Sequence, residues 1–473
     1  MNSLGIVFRG LLPLGGGLLI AGCASLADTD AHVGQANDNR ADRASVPRLA
    51  GRDVSLPVLG DDASLEDYLR YAALNNAGLE AAFNRWKAAL ERIPQVKSLP
   101  DPRFNYTYFI EEVETRVGPQ QQKFGVAQTF PWFGKLRLRG DAAAAAAEAA
   151  HQEYEKARQA LIYRVKDAFH EYWYLAQAIA VTRENLRLVS NMEGIARTRF
   201  KTGTAPNSAV IQAQVELGKL DDRLRTLESL RQPLVARLNA ALNRPTHLSL
   251  PWPEALPDPD VSFTDEQAGQ WLAERNPERR RLEHLVAREE AGIRLARKNN
   301  YPDITFGIDY IDTDDALSAG VADSGKDPVM AMVSVNVPLW HGKYRAGERE
   351  ARHRKAAAEK DRDDTGKRLD ADLALSLYQF RDAERKIDLY GDTLVPKAEQ
   401  SLLVAQQGFE AGTTSFAALI DAQRLLLEFQ LAHQRALADR GQRLAAVEML
   451  TGTEIAGSGR GAEERVEERR RLW

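Results

Sequence analysis

Residues able to do covalent or metal chemistry are few and far apart in this chain. Cys23 is the only thiol among 473 residues, so no intrachain disulfide can form. Eight histidines are scattered, and no two have ligand spacing on one helix. There is no glycine-rich phosphate loop, no G-x-S-x-G elbow and no H-E-x-x-H helix. Met330 and Met332 would share one strand face, where thioethers could hold a soft metal, but ordinary packing accounts for them better. The chain is therefore read as a non-enzyme, with no catalytic residue, no metal site and no cofactor expected.

The setting of Cys23 gives its thiol a different use. Arg9 supplies a positive n-region, Leu11 to Ile20 (LLPLGGGLLI) a short apolar h-region, and Ala21-Gly22 the small residues of a cleavage site. The run LIAGC resembles a bacterial lipobox, in which the cysteine is acylated and becomes the mature N-terminus. The alternative is an ordinary signal peptide that contains a cysteine. The lipobox reading makes 1–22 a leader, puts palmitate on Cys23, and implies outer-membrane sorting because Ala24 rather than Asp follows.

Lys and Arg number 63 against 67 Asp and Glu, and a net charge of −4 argues against a nucleic-acid partner. Beyond the leader, no apolar run approaches the roughly 18–20 residues of a membrane helix. Any membrane role must therefore use something other than spanning helices.

The elements that could supply this are written twice. Pro100-Asp101 recurs as Pro302-Asp303, and Pro131…Gly134-Lys135 as Pro338…Gly342-Lys343 with one residue inserted. Phe200…Gly203-Thr204 recurs as Phe409…Gly412-Thr413, and Ile211-Gln-Ala-Gln214 as Ile420-Asp-Ala-Gln423. The offset climbs smoothly from about 202 to about 209 residues, as loop insertions in a tandem duplication would make it. The repeats span 63–244 and 263–452. A linker with five prolines between Pro245 and Pro259 joins them, a polar tether (23–62) precedes them, and a charged tail (453–473) follows.

Each repeat predicts the same order. A helix of about 33 residues (65–97; 266–298) leads through a Pro-Asp corner into two strands. Phe104, Tyr106 and Tyr108 alternate with Asn105 and Thr107, and a polar loop holding Gly118-Pro119 precedes the partner 123–130. In the second repeat Ile304, Phe306, Ile308 and Tyr310 alternate with Thr305, Gly307 and Asp309, and Ala331, Val333, Val335 and Val337 with Met332, Ser334 and Asn336. Period-two alternation marks a strand with different solvents on its two faces; the other reading of a single hairpin is a soluble one on a core. A rod follows, proline-free from Arg137 to Phe200, whereas Pro396 should kink or unwind its counterpart. Gly203 and Gly412 suit the rod's C-terminus, and a helix of about 36 residues returns (207–243; 415–450). The two shorter helices of each repeat can stack end to end alongside the long one.

Four such strands cannot close a barrel alone, because closed outer-membrane barrels need at least eight. Three chains would give twelve. At the barrel's base Pro131 would end the ladder, Gly134 would permit the turn, Trp132, Phe133 and Trp340 would join an interfacial aromatic girdle, and Lys135 would lie near the headgroups. Pro338, Gly342 and Lys343 are the matching residues of the second corner.

The duplicated order, the F-x-x-G-T tips, the I-D-A-Q helix start and the strand-ending FPWFGK resemble the TolC-like outer-membrane efflux family, from about Leu65 to Thr451. The resemblance implies a mainly α fold with a small membrane β-barrel contribution, assembled as a trimeric α/β barrel tunnel with coiled-coil walls. It implies a passive exit duct that docks to a periplasmic adaptor and an inner-membrane pump of resistance-nodulation-division type. The lipobox fits the lipid-anchored branch. Asp421 matches an aspartate ringing the periplasmic entrance; the family's second aspartate is Ala418 here, and the first-repeat equivalent is Gln212. Phe200, Gly203, Thr204, Phe409, Gly412 and Thr413 resemble adaptor-docking tips. The alternatives are a periplasmic adaptor lipoprotein, a protein-secretion component of the outer membrane, and an envelope coiled coil. Metal ions, drugs and polypeptides all remain open as cargo.

Overall fold

The structure is a computed structural model, and it describes residues 56–257 and 261–455. Cys23, most of the tether and most of the tail lie outside the described residues. The first repeat runs α1 (Leu65–Asn75), α2 (Ala77–Lys97), β1 (Arg103–Thr115), β2 (Gly118–Phe130), α3 (Lys135–Lys201), α4 (Asn207–Ser229) and α5 (Arg231–Ala241). The second runs α6 (Asp265–Arg275), α7 (Pro277–Lys298), β3 (Ile304–Thr313), β4 (Val329–Val335), α8 (His341–Asp388), a single π turn (Leu389–Leu394), α9 (Val395–Ala411) and α10 (Phe416–Thr451). Among the described residues no helix is long and apolar enough to cross a membrane.

The single helices expected at 65–97 and 266–298 are each broken, at Asn76 and at Asn276. Helix propensity is good on both sides, but each asparagine takes an extended conformation and caps the next helix through its side chain. Asn76 Oδ1 accepts from Leu79 N, and Asn276 Oδ1 accepts from Arg279 N, both at 2.9 Å. α3 runs unbroken for 67 residues, about 100 Å. Its counterpart carries the π turn just before Pro396, whose ring and missing N–H cannot fit a regular turn there. The return helix also breaks, at Leu230, three residues before Pro233.

α2, α4 and α5 of the first repeat and α7 and α10 of the second all pack along α3. Separate apolar cores form around Tyr68, Phe169, Tyr172 and Leu238, around Phe263, Leu377, Phe380 and Val447, and towards the tip around Met192, Leu402, Phe409 and Leu419. The proline-rich linker is pinned to the first core. Leu250 is buried, and Trp252 stacks on Tyr172 with ring centroids 4.7 Å apart.

The sheet has the order β1-β2-β3-β4, antiparallel throughout, so the central pair β2–β3 joins the two repeats. The polar loop expected between β1 and β2 is absent. Both strands extend to a tight turn, with a bulge between Tyr108 and Val113. Gly118 opens β2 at φ +134°, where a Cβ would lie 1.7 Å from the Asp314 carbonyl oxygen, so only glycine fits.

Candidate functional site: channel wall, corner and tips

Register divides the sheet into two chemically different faces. Tyr106 lies opposite Phe124, Phe124 opposite Tyr310, and Tyr310 opposite Val329; Val126 lies opposite Phe104 and Ile308. This face is apolar yet open, with Phe104 67% and Ile308 63% exposed. The other face carries Asn105, Thr107, Lys123, Gly125, Thr305, Asp309, Met330, Met332 and Ser334. There Lys123 Nζ meets Asp309 Oδ2 at 2.8 Å, across Gly125, where a Cβ would fall 2.2 Å from the Asp309 carboxylate. A sheet with apolar side chains unburied on one side and paired charges on the other suits a wall between lipid and water.

At the first corner Gly134 stands at φ +86° and starts α3, while Phe133 is 80% exposed. Lys135 departs from expectation. Its side chain is buried, and Nζ donates to Tyr301 O at 2.8 Å and to Asp303 Oδ1 at 2.7 Å, so its charge faces the second repeat instead of the headgroups. Asp303 Oδ1 also accepts from Trp132 N at 2.8 Å, and Trp132 stacks on Tyr301 at 5.5 Å. Burial works to raise the Asp303 carboxyl, but Lys135 and the Trp132 amide hold it below the usual carboxylate range. The second corner is built without a left-handed glycine. Leu339, the inserted residue, lets the chain turn through Leu339 N to Val337 O (2.9 Å) and His341 N to Leu339 O (3.0 Å), and Gly342 sits inside the first turn of α8. Trp340 and Lys343 are exposed.

The two tips share a backbone and differ in side chains. Gly203 and Gly412 are left-handed at φ +74° and +79°, and Thr204 N and Thr413 N each donate to a carbonyl five residues back at 2.8 Å. Phe200 is half-exposed. Phe409, expected as a docking side chain, is 5% exposed instead, because it packs edge-on against Phe416 at 5.3 Å under the Arg199 guanidinium. Arg199 ties the two tips by donating to Phe409 O and to Glu410 O.

Asp421 lies in the second turn of α10 with an exposed side chain. Arg424, one turn on, shares its guanidinium between Asp421 Oδ1 at 3.3 Å and the buried Glu216 Oε2 of α4 at 2.5 Å. Sequence reasoning missed Asp303, Arg199, Glu216 and Arg424. Only the repetition of Pro-Asp before each first strand pointed at any of them. It also missed His170, buried against α10 with Nδ1 2.6 Å from Lys166 O. Burial pushes its pKa down to about 4.

The family model described as outer membrane efflux protein matches residues 69–244 and again 269–453, once on each repeat. The cobalt-zinc-cadmium resistance protein CzcC of Cupriavidus metallidurans is 22% identical over 409 residues, covering 84% of this chain and 93% of CzcC. Among solved structures, the outer-membrane channel OprN is similar with a TM-score of 0.71 at 17% identity, covering 83% of this chain and 90% of OprN. The outer membrane protein VceC of Vibrio cholerae reaches 0.68 at 18% identity, covering 83% and 96%. With the family pattern laid over both helix–strand–strand–helix–helix units, the chain belongs to the outer membrane efflux protein family.

Proposed function

We propose that three copies of the chain form the outer-membrane exit duct of a tripartite efflux pump. The observation that carries this reading is the four-stranded sheet, apolar on one face and polar on the other, with β1 and β4 as open edges. Edge N–H and C=O groups cannot face lipid unpaired, so the sheet must close on other copies, and three copies supply twelve strands. The ladder between β2 and β3 includes Phe130↔Ile304 at one end and Gln120↔Thr313 at the other, close to the roughly 9–11 residues of a tilted membrane strand. Helices of about 100 Å then carry the tube into the periplasm.

In this reading acylated Cys23 anchors each copy to outer-membrane lipid. The tips at Gly203-Thr204 and Gly412-Thr413 meet a periplasmic adaptor, and three copies of Asp421 narrow the entrance. Transport through the duct is passive, with energy supplied by an inner-membrane pump of resistance-nodulation-division type. The pump selects the cargo, and the relative CzcC, named for cobalt, zinc and cadmium resistance, puts divalent metal ions first. Light scattering of the detergent-solubilised protein should give three times the mass of the mature chain, and the same sample should conduct ions in planar bilayers. A monomer without conductance would overturn the reading.

A further inference from the structure

The first corner is completed within the chain, and the second is not. Lys135 reaches Asp303 at 2.7 Å because β2 and β3 are neighbours. The repeat maps Lys135 onto Lys343 and Asp303 onto Asp101, each aspartate following a proline. The two turns match in backbone: Lys135 N donates to Trp132 O and Lys343 N to Trp340 O, both at 3.0 Å. Lys343 and Asp101 are nevertheless both exposed, and among the described residues neither is in an ion pair. They belong to the opposite edges of the sheet, three strand spacings or about 14 Å apart.

We propose that Lys343 of one copy closes on the partner's Asp101, so that the second corner is completed by the neighbouring subunit. The proposal rests on the trimeric reading above and adds the register of the seam. Within the chain Gln128 lies opposite Phe306, and Val126 opposite Ile308. Carrying these pairs through the repeat sets Val335 of β4 against the partner's Phe104 and Val333 against the partner's Tyr106. A slip of one residue would set apolar side chains against polar ones. The register derived by matching Pro100-Asp101 to Pro302-Asp303 and Pro131 to Pro338, ahead of the inserted residue, avoids that. Val333, Val335, Phe104 and Tyr106 all stand on the apolar face, and Ser334 meets the partner's Asn105 on the polar one. The aromatic partner follows the same rule. Trp132 stacks on Tyr301, whose first-repeat equivalent is Leu99. Trp340 at 77% and Leu99 at 45% exposure are thus left for each other across the seam.

Two sets of variants of the full chain test this. Lys343→Asp and Asp101→Lys should each lower the trimer fraction in detergent, and the double reversal should restore it. Directly opposed antiparallel residues have Cα atoms about 4.5–5.5 Å apart, within disulfide reach. Ser334→Cys combined with Asn105→Cys should therefore give covalent dimers and trimers on non-reducing gels, absent from either single variant. Crosslinking of Ser334→Cys with Thr107→Cys in preference would overturn the register. Crosslinking at 105–334 with no effect of either charge reversal would overturn the ion pair. A trimer that shows neither effect would overturn the whole seam and leave the duct standing. An unmodified chain that runs as a monomer would overturn the duct itself.

Discussion

Asn276 Nδ2 donates to the Leu450 carbonyl at 2.7 Å while Asn276 Oδ1 caps α7, so one side chain joins the end of α10 to the start of α7. Asn76 does the same for α5 and α2, donating to Ala241 O at 3.1 Å. Each asparagine satisfies a carbonyl orphaned at one helix end and an amide orphaned at the other. This is how shorter helices are joined end to end into a strut beside the rod. In the second repeat the joint closes on Gly452 at φ +66°, where a Cβ would fall 2.8 Å from Arg275 O.

Asn276→Ala should therefore cost more than a lost cap. Losing an N-cap costs about 1 kcal/mol, and a buried unsatisfied carbonyl adds about 1–3. Asn276→Ser keeps a cap oxygen and loses the donor to Leu450 without adding a charge, so it separates the two contributions. Thermal unfolding should rank wild type above Asn276→Ser and both above Asn276→Ala. Equal melting for all three would show that the joint carries no load.

His170 makes stability pH-dependent. Its pKa falls to about 4 from 6.5, chiefly through burial; the bond to Lys166 O opposes that, and the Lys166 and Arg435 charges add to it. Above pH 6.5 neither folded nor unfolded chain holds the proton. Below it the unfolded chain binds first, so stability falls by about 1.4 kcal/mol per unit, or roughly 3 by pH 4. His433 is depressed too, chiefly by burial, and acts in the same sense. Unfolding midpoints measured between pH 7 and 4 should fall, and His170→Gln should flatten the slope. Gly441→Ala should destabilise at every pH, since a Cβ there would lie 2.0 Å from His170 Nε2.

Lys166 and Glu448 form a buried ion pair between α3 and α10 at 2.5 Å, and Glu448 Oε1 also accepts from Ile455 N at 2.9 Å. Removing one charge strands the other, and Glu448→Ala should cost about 3–5 kcal/mol. Lys166→Met with Glu448→Gln removes both charges, keeps an acceptor for Ile455, and should recover most of that loss. Denaturant midpoints decide; a single variant within about 0.5 kcal/mol of wild type would mean the site is wet.

The order of elements was legible because a duplication repeats its punctuation and because alternation in Phe104 to Tyr108 and Ile304 to Tyr310 has one physical meaning. Pro396 also announced its disturbance, and the π turn lies just before it. The helix break at Asn276 was written in the Asn-Pro start signal and was overlooked within a run of good helix formers. Other features had no local signal. Lys135 turns inward because Asp303, 168 residues away, is its neighbour across the β2–β3 seam. Phe409 is buried and Phe200 half-exposed although their motifs match, because Phe416 and Arg199 cover only one of them. Pairings across a fold are set by topology, which a motif does not state.

Cys23 should carry the chain's lipid. Metabolic labelling with palmitate is expected to mark the wild type and to vanish in Cys23→Ala, while the twelve-stranded assembly still forms. Label persisting in the variant would end the lipoprotein reading.

Asp421 and Arg424 should act on conduction in opposite directions. In the proposed trimer three Asp421 carboxylates at the entrance would concentrate cations, while each Arg424, held by Glu216, would offset part of that field. Asp421→Ala should raise conductance, weaken block by divalent cations and shift the reversal potential in a KCl gradient away from cation preference. Arg424→Gln should sharpen cation preference. It should also lower the melting temperature, because the Glu216 side chain, only 6% exposed, loses its hydrogen-bonded partner and keeps only Lys219 at 3.9 Å. Both conduction effects should fade in 1 M salt, where the screening length is about 3 Å. If Asp421→Ala leaves conductance and selectivity unchanged at low salt, Asp421 does not line the constriction, and Arg424 serves only to bind α10 to α4 through Glu216.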